Sequence, residues 1–180
     1  SMKQGSSILD IGCGNGASLC AMHAQKTMKE LIGVDVSDDA LALASANGIR
    51  PIKANITSDQ EREVLPRTDY ICLFEVIEHV QSSERLIQWA YSHAYRGVFF
   101  SVPNTGFFTH RLRLLLGRFP LQWRAHPSEH VRFWTLPDMR WWLEQLGYAD
   151  ARVCAYEGMP FFKRLWPSLF AAGIFVTIRK

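Results

Sequence analysis

The fold of this chain is decided by the stretch Ile8-Leu9-Asp10-Ile11-Gly12-Cys13-Gly14-Asn15-Gly16, an apolar strand pattern that runs into a glycine-rich turn. A helix-periodic segment, residues 17–25, follows the turn directly. Glycines are needed there because a side chain would block the turn and keep the backbone from approaching a bulky ligand. The stretch therefore predicts the first strand, turn and helix of a Rossmann-like unit.

Two carboxylates accompany this turn. Asp35 ends the next apolar stretch, Leu31-Ile32-Gly33-Val34-Asp35, where an acidic residue can accept hydrogen bonds from both hydroxyls of a ribose. Asp10 would repel the pyrophosphate of a dinucleotide, whereas it would attract a cationic nucleoside. The glycines also satisfy the looser dinucleotide pattern, so a nicotinamide oxidoreductase stays open as an alternative, although the chain has no Tyr-x-x-x-Lys pair.

Apolar runs of strand length alternate with helix-periodic segments through the first hundred residues, which predicts βαβ units and a parallel sheet. The expected strands are residues 7–11, 31–35, 51–54, 70–74 and 98–102, and the expected helices are 17–25, 38–47 and 82–93. An aromatic and basic insertion, about residues 104–135, interrupts this alternation of strands and helices. A helix at 136–146 and an antiparallel strand pair at 153–156 and 173–178 complete one domain, residues 1–180.

Several motifs resemble those of the class I S-adenosylmethionine-dependent methyltransferases: the glycine loop, Gly33-Val34-Asp35, and Leu73-Phe74-Glu75-Val76-Ile77-Glu78-His79-Val80. Within that class, Ser101-Val102-Pro103-Asn104-Thr105-Gly106 and residues 111–120 resemble the MetW-like proteins of methionine biosynthesis. The resemblance implies an α/β three-layer sandwich. Its Rossmann-like seven-stranded sheet is mostly parallel with an antiparallel last strand, and a helical or loop insertion follows strand 5.

The resemblance also implies which residues hold S-adenosylmethionine, whose sulfonium and ammonium groups would suit Asp10. Phe74 would lie near the adenosyl group, and Asn55 stands where many relatives carry an acidic residue that reads the adenine amino group. The predicted cofactor-binding set is Asp10, Gly12, Cys13, Gly14, Asn15, Gly16, Asp35, Val36, Asn55, Ile56, Phe74 and Glu75.

Polar side chains follow the fourth strand. One helical turn would present Glu75, Glu78 and His79 together, and His130 ends the insertion. Two carboxylates and two imidazoles are a ligand set for a divalent metal, and this pattern resembles metal-dependent O-methyltransferases, where the metal would orient and acidify the acceptor hydroxyl. We favour the alternative without metal, in which His79, His130 and Glu75 are the catalytic residues and an imidazole is the base.

The insertion and the segment that follows it mix cations with aromatic rings. Its candidate acceptor-binding residues are Phe107, Phe108, His110, Arg111, Arg113, Arg118, Trp123, Arg124, His126, His130 and Arg132. Because arginine binds carboxylate and phosphate with two hydrogen bonds, we expect a small or medium, anionic acceptor that is methylated on oxygen. The alternative is that these arginines form a solvated helix face. Residues 159–166 are unusually apolar for a connection and suggest a partner or homodimer surface.

The net charge and the apolar runs bear on two further classes of function, nucleic-acid binding and membrane spanning. A net charge of +3 is too small to indicate a nucleic-acid substrate, and no run of about 20 apolar residues predicts a membrane span. We expect a cytoplasmic enzyme with a small-molecule substrate. The resemblance to MetW-like proteins leaves an alternative, a cofactor-binding partner of homoserine O-acetyltransferase with little catalysis of its own. Ser1-Met2 is expected to be a remnant of expression, with natural sequence upstream.

Overall fold

The computed structural model describes residues 2–120 and 129–180. Ser1 and three predicted acceptor-binding residues, Trp123, Arg124 and His126, lie outside the described residues. The elements in chain order are β1 Ser7–Ile11, α1 Ala17–Gln25, β2 Glu30–Asp35, α2 Asp38–Ala46, β3 Arg50–Lys53, α3 Asp59–Glu63, β4 Tyr70–Phe74, a 3-10 turn Ile77–His79, α4 Ser83–His93, β5 Gly97–Pro103, α5 Phe108–Leu115, α6 Leu136–Gln145, β6 Arg152–Tyr156, α7 Phe162–Leu165, α8 Pro167–Phe170 and β7 Gly173–Arg179.

The strands form a seven-stranded sheet in the order β3-β2-β1-β4-β5-β7-β6. Strand β1 pairs in parallel with β2 and β4, and β2 pairs in parallel with β3. Strands β6 and β7 pair antiparallel, with Arg152 opposite Thr177 and Tyr156 opposite Gly173. The predicted Rossmann-like α/β fold, with a mostly parallel sheet and antiparallel last strands, is therefore confirmed.

The chain groups into two compact units, of which the first comprises residues 1–74, 84–99 and 179–180. Its strand β1 carries three apolar side chains in five residues, and these three, Ile8, Leu9 and Ile11, are fully buried. A strand covered on both faces requires such side chains, because neither face meets water. Helix α2 is capped by Ser37, the residue before it, whose side chain accepts a hydrogen bond from the Ala40 amide.

The second unit comprises residues 75–83 and 100–178. Helix α6 begins with a capping box, in which Thr135 and Asp138 each accept a hydrogen bond from the other's backbone amide. In the antiparallel pair, a Cβ on Gly173 would lie 2.3 Å from Cε1 of Tyr156. The absent side chain at Gly173 is therefore what lets the Tyr156 ring lie across the neighbouring strand.

The structure differs from the prediction after β4. Glu75 does not begin a helical turn but adopts a left-handed backbone with φ of 54°, and the 3-10 turn starts two residues later at Ile77. The short helices α3, α7 and α8 were not predicted because four or five residues are too few to show a helical period. Within the described ranges, no helix has the length and apolarity needed to cross a bilayer.

Candidate functional site

The glycine loop of the first unit is tied to the end of β2 by backbone hydrogen bonds. The amides of Gly12 and Cys13 both donate to the Val34 carbonyl, at 2.8 and 3.0 Å. Gly12, Gly14 and Gly16 have φ values of 68°, 53° and 79°. Glycine adopts this left-handed backbone without the steric cost that a Cβ would impose, so the local fold requires the spacing found in the sequence.

Gly16 and Gly14 differ in what surrounds the position that a Cβ would occupy. A Cβ on Gly16 would lie 2.0 Å from Cδ1 of Ile49, so this position needs glycine for packing as well as for conformation. Around Gly14, by contrast, the position of a Cβ is surrounded by open space within 4 Å. The backbone at Gly14 is therefore open to the approach of a ligand.

Asp35 lies beside this open turn, as the sequence predicted for a ribose-binding residue. Its Oδ2 accepts a hydrogen bond from the Gly14 amide, and its Oδ1 accepts one from the Ser37 amide, each at 3.0 Å. Each carboxylate oxygen has a second lone pair, so both can still accept hydrogen bonds from hydroxyls. The two amides fix the orientation of the carboxylate and leave it able to accept further hydrogen bonds.

Asp10 is a buried acid one residue before the end of β1, with only 2% of its surface exposed. Burial, and then the negative charge of Asp35, raise the pKa of Asp10 from 3.8 to about 8. A carboxylate in this environment is stabilised when a cation comes near, because the cation offsets both the lost hydration and the repulsion from Asp35. The first unit is therefore electrostatically suited to a positively charged ligand.

The other predicted cofactor contacts in the first unit lie at the carboxyl ends of strands. Val36 is 60% exposed, whereas Ile56 and Phe74 are half-buried. Oδ1 of Asn55 accepts hydrogen bonds from the amide and the hydroxyl of Thr57, at 3.0 and 2.8 Å. Since these bonds occupy both lone pairs of that oxygen, Asn55 offers its amide donor rather than an acceptor for an adenine amino group.

Glu75 in the second unit is held in its left-handed conformation by three hydrogen bonds. Its amide donates to the Ser101 carbonyl at 3.1 Å, and its Oε1 accepts from the hydroxyls of Ser101 and Tyr156, at 2.7 and 2.8 Å. A non-glycine residue in this backbone region costs about 1–3 kcal/mol, and such strain concentrates at functional sites. Tyr156 was not predicted as a site residue, because nothing in the sequence pattern links a strand tyrosine to a carboxylate 81 residues earlier.

Glu78 contributes a buried side-chain carboxyl group and a backbone carbonyl that accepts hydrogen bonds. Its side chain is 1% exposed, and neither of its oxygens accepts a hydrogen bond from the described residues. Burial, and then the charge of Glu75, raise the pKa of Glu78 from 4.5 to about 8. The Glu78 carbonyl accepts hydrogen bonds from the amides of Val131 and Arg132, at 2.9 and 3.1 Å, which brings His130 next to this turn.

Glu78, His79 and His130 form a compact cluster. One ligand atom from each lies within 4.8 Å of the other two, and the imidazole rings of His79 and His130 meet edge to face with centroids 4.7 Å apart. Nδ1 of His79 is hydrogen-bonded to the Glu129 carbonyl, which requires a proton on Nδ1, so that Nε2 carries the lone pair whenever the ring is neutral. Burial, and then the nearby His79, lower the pKa of His130, which favours the neutral ring.

A carboxylate and two neutral imidazoles are donors that divalent transition metals accept. The Glu129 carbonyl orients His79 as a hydrogen-bond partner of a metal-bound histidine usually does. Glu78 is largely protonated near neutral pH because of its raised pKa, and its buried carboxyl would ionise when such an ion binds. The residues therefore fit a divalent cation, and Glu75 stands outside this three-residue group because Ser101 and Tyr156 hold its carboxylate.

Three arginines of the insertion serve the fold itself. Their Nε atoms donate to main-chain carbonyls: Arg111 to Gly106 at 2.7 Å, Arg113 to Phe119 at 3.0 Å and Arg132 to Gln81 at 3.0 Å. These bonds hold Arg111 and Arg113 against nearby backbone of the insertion, and they join Arg132 to the backbone at Gln81. The structure thus gives these arginines a role in shaping the insertion. The sequence pattern alone did not distinguish this role from anion binding.

A family model described as a methyltransferase domain matches residues 1–153. Among curated proteins, the bifunctional methionine biosynthesis protein MetXA/MetW of Rhodopirellula baltica is 29% identical over 157 residues. That alignment covers 79% of this chain, and the chain spans only 25% of the length of that protein.

Solved structures support the fold. A SAM-dependent methyltransferase from Archaeoglobus fulgidus is 18% identical with a TM-score of 0.69, covering 97% of this chain and 86% of that one. The methyltransferase domain of bacterial CtHen1-C is 17% identical with a TM-score of 0.70, covering 97% and 90%. Magnesium protoporphyrin IX methyltransferase (ChlM) from Synechocystis PCC 6803, with bound SAH, is 18% identical with a TM-score of 0.68, covering 98% and 75%.

Proposed function

Because this chain belongs to the family of methyltransferase domains, we propose that it transfers a methyl group from S-adenosylmethionine to an oxygen of a small or medium, anionic acceptor. The observation that carries the cofactor assignment is the buried Asp10, whose raised pKa marks a position where a cation is favoured. The sulfonium and ammonium groups of the cofactor are such cations. A dinucleotide, by contrast, would bring phosphates to this carboxylate.

Three predicted residues of the first unit have a part in this proposal. Asp35, oriented by the amides of Gly14 and Ser37, would accept hydrogen bonds from the ribose hydroxyls. The open backbone at Gly14 would accommodate the cofactor, and Asp10 would oppose its positive charge. S-adenosylmethionine supplies the chemical driving force when it is bound, so the protein has mainly to position and to exclude water.

The second unit supplies groups suited to an acceptor hydroxyl. His79 donates the proton on Nδ1 to the Glu129 carbonyl, so in the neutral ring Nε2 would be the atom that accepts a proton from the acceptor. His130, whose lowered pKa favours the neutral ring, is the other candidate base. Glu75, held by Ser101 and Tyr156, would place a fixed negative charge beside them.

Calorimetry with S-adenosylhomocysteine tests the cofactor assignment. Asp35→Ala should weaken binding by about 1–3 kcal/mol, because ribose hydroxyls would lose a charged acceptor. The exposed Asp39, in the first turn of α2, provides the matched control, and Asp39→Ala should leave the affinity unchanged. Tight uptake of NAD, with no heat from S-adenosylhomocysteine, would contradict the proposal.

The alternative to an imidazole base is a divalent cation bound by Glu78, His79 and His130, supported by their separation of at most 4.8 Å and by the Glu78 oxygens that have no hydrogen-bond partner among the described residues. When bound, such an ion would orient and acidify an acceptor hydroxyl. Titration of the apoprotein with Mn²⁺ should give one site per chain and release protons, because Glu78 must ionise.

The metal experiment has a matched pair of variants. Glu78→Gln should weaken Mn²⁺ binding by at least about tenfold, the scale seen for altered metal sites. The exposed Glu144 of α6 gives the control, and Glu144→Gln should bind Mn²⁺ like the wild type. If the wild type binds neither Mn²⁺ nor Co²⁺ used in its place, the cation hypothesis is wrong, and His79 and His130 remain the candidate bases.

The alternative function follows from the name of the Rhodopirellula baltica relative, which joins MetXA and MetW in one chain. On that hypothesis this chain is a cofactor-binding partner of homoserine O-acetyltransferase with little catalysis of its own. A cofactor-turnover assay over hydroxyl, carboxyl and amine acceptors separates the two. Turnover by the isolated chain supports the enzyme, whereas a complex with homoserine O-acetyltransferase and no turnover supports the partner.

A further inference from the structure

Two segments of the second unit expose large apolar side chains. Leu115 at the end of α5 is 81% exposed, and Leu165 and Trp166 after α7 are 72% and 54% exposed. Further exposed side chains on the same two segments are Leu112, Leu114, Leu116, Phe119, Phe161 and Phe162. Scattered apolar residues on a surface are ordinary, but so many large ones on two short segments indicate a surface that contacts something apolar.

The two segments are packed on one another. The ring of Phe170 lies 6.0 Å from that of Phe108 in α5 and 5.3 Å from that of Phe162 in α7, centroid to centroid. Nη2 of Arg111 donates a hydrogen bond to the Ser168 carbonyl at 3.3 Å. The exposed residues of 111–119 and 161–166 thus belong to one packed body, which we name the Leu-Trp surface.

The Leu-Trp surface carries positive charge without any negative charge. Residues 105–120 and 159–172 contain no aspartate and no glutamate, and their lysines and arginines are Arg111, Arg113, Arg118, Lys163 and Arg164. A second copy of the chain docked symmetrically here would bring like charges together, since a two-fold interface pairs the same patch with itself. The charge instead complements a negatively charged partner.

We propose that the Leu-Trp surface docks the protein on the face of a lipid bilayer that contains anionic headgroups. Exposed leucine, phenylalanine and tryptophan interleaved with lysine and arginine are the composition of segments that lie in the membrane interface. Tryptophan settles at the depth of the headgroups, and each basic residue near an anionic leaflet adds to binding. The inference concerns attachment to a surface and is independent of the proposed methyl transfer.

Co-sedimentation of the full chain with vesicles tests this proposal. We expect binding to vesicles that contain phosphatidylglycerol, much weaker binding to phosphatidylcholine alone, and a loss of affinity as salt rises. The double variant Lys163→Ser/Arg164→Ser should bind phosphatidylglycerol vesicles about 30-fold more weakly, since each basic residue contributes about 1 kcal/mol. Trp166→Ser and Leu115→Ser, each made singly on a different segment, should weaken binding by at least about tenfold.

The helix α6 provides matched controls. Arg140 and Trp141 are adjacent and exposed, and Trp141 lies on the side of α6 away from the buried Met139. Arg140→Ser and Trp141→Ser remove the same kinds of side chain and should leave vesicle binding unchanged. Equal or absent binding to both vesicle types would overturn the proposal. So would sedimentation in solution that shows a dimer abolished by Trp166→Ser, because the surface would then join two chains.

Discussion

Replacement of Asp10 by asparagine should flatten the pH dependence of stability. The carboxyl is buried, and its pKa is raised from 3.8 to about 8 in the folded protein. The folded state therefore keeps a proton over a pH range in which the unfolded chain has lost it. Asparagine has nearly the same shape and does not titrate, so the difference between the two proteins isolates this one group.

The sign and the size follow from this difference in proton binding. For the wild type, the free energy of unfolding declines as pH rises above 3.8 and levels off above about 8, because ionisation favours the unfolded chain. One pKa unit corresponds to about 1.4 kcal/mol. Relative to Asp10→Asn, the wild type should therefore lose about 4 kcal/mol between about pH 5 and about pH 8.

Urea denaturation followed by circular dichroism, repeated across this pH range, measures the effect. Other titrating groups contribute equally to both proteins and cancel in the subtraction. The exposed Asp150 gives the control, because the free energy of unfolding of Asp150→Asn should change with pH in the same way as that of the wild type. Parallel profiles for the wild type and Asp10→Asn would refute the reasoning, since Asp10 would then titrate alike in the folded and unfolded states.

The same variant tests the electrostatic basis of the proposed cofactor site. At neutral pH most Asp10 side chains carry a proton, and a bound sulfonium and ammonium would expel it. Binding of S-adenosylmethionine at neutral pH should therefore release protons in the wild type but not in Asp10→Asn. Calorimetry in two buffers of different ionisation enthalpy measures the release. Equal proton release by both proteins would place the cationic groups away from Asp10.

Three further outcomes are expected. Gly16→Ala should cost about 1–3 kcal/mol of stability in urea denaturation, because its Cβ would meet Cδ1 of Ile49, and the added change Ile49→Val should recover part of that loss. Tyr156→Phe should lower the free energy of unfolding by about 1 kcal/mol, because the hydrogen bond to Glu75 is lost. The variant should also have a lower kcat with unchanged affinity for S-adenosylhomocysteine, because Glu75 is then less firmly held. If both kcat and affinity equal those of the wild type, Tyr156 has no positioning role. Glu78→Gln should stabilise the metal-free protein at about pH 8 by on the order of 3 kcal/mol, and denaturation with chelator present measures it.

The segments near Asp35 and Glu75 show where prediction from the sequence worked and where it failed. Asp35 was placed correctly at the end of β2 because a glycine turn and the strand after it are local patterns. Glu75 was expected in a helical turn with Glu78 and His79, since their spacing suits a helix. The structure gives Glu75 a left-handed backbone, because Ser101 and Tyr156, which are distant in sequence, hold its amide and carboxylate.

By itself, the sequence determined the α/β fold class, the strand pairing at the end of the chain and the glycine loop with its two acids. These depend on hydrophobic period and turn chemistry, which neighbouring residues specify. Only the tertiary structure decided that Asp10 and Glu78 are acids with raised pKa values, that Tyr156 reaches Glu75, and that the Leu-Trp surface brings two segments together. Burial, charge proximity and contacts across many residues depend on how distant elements pack, which a local pattern does not encode.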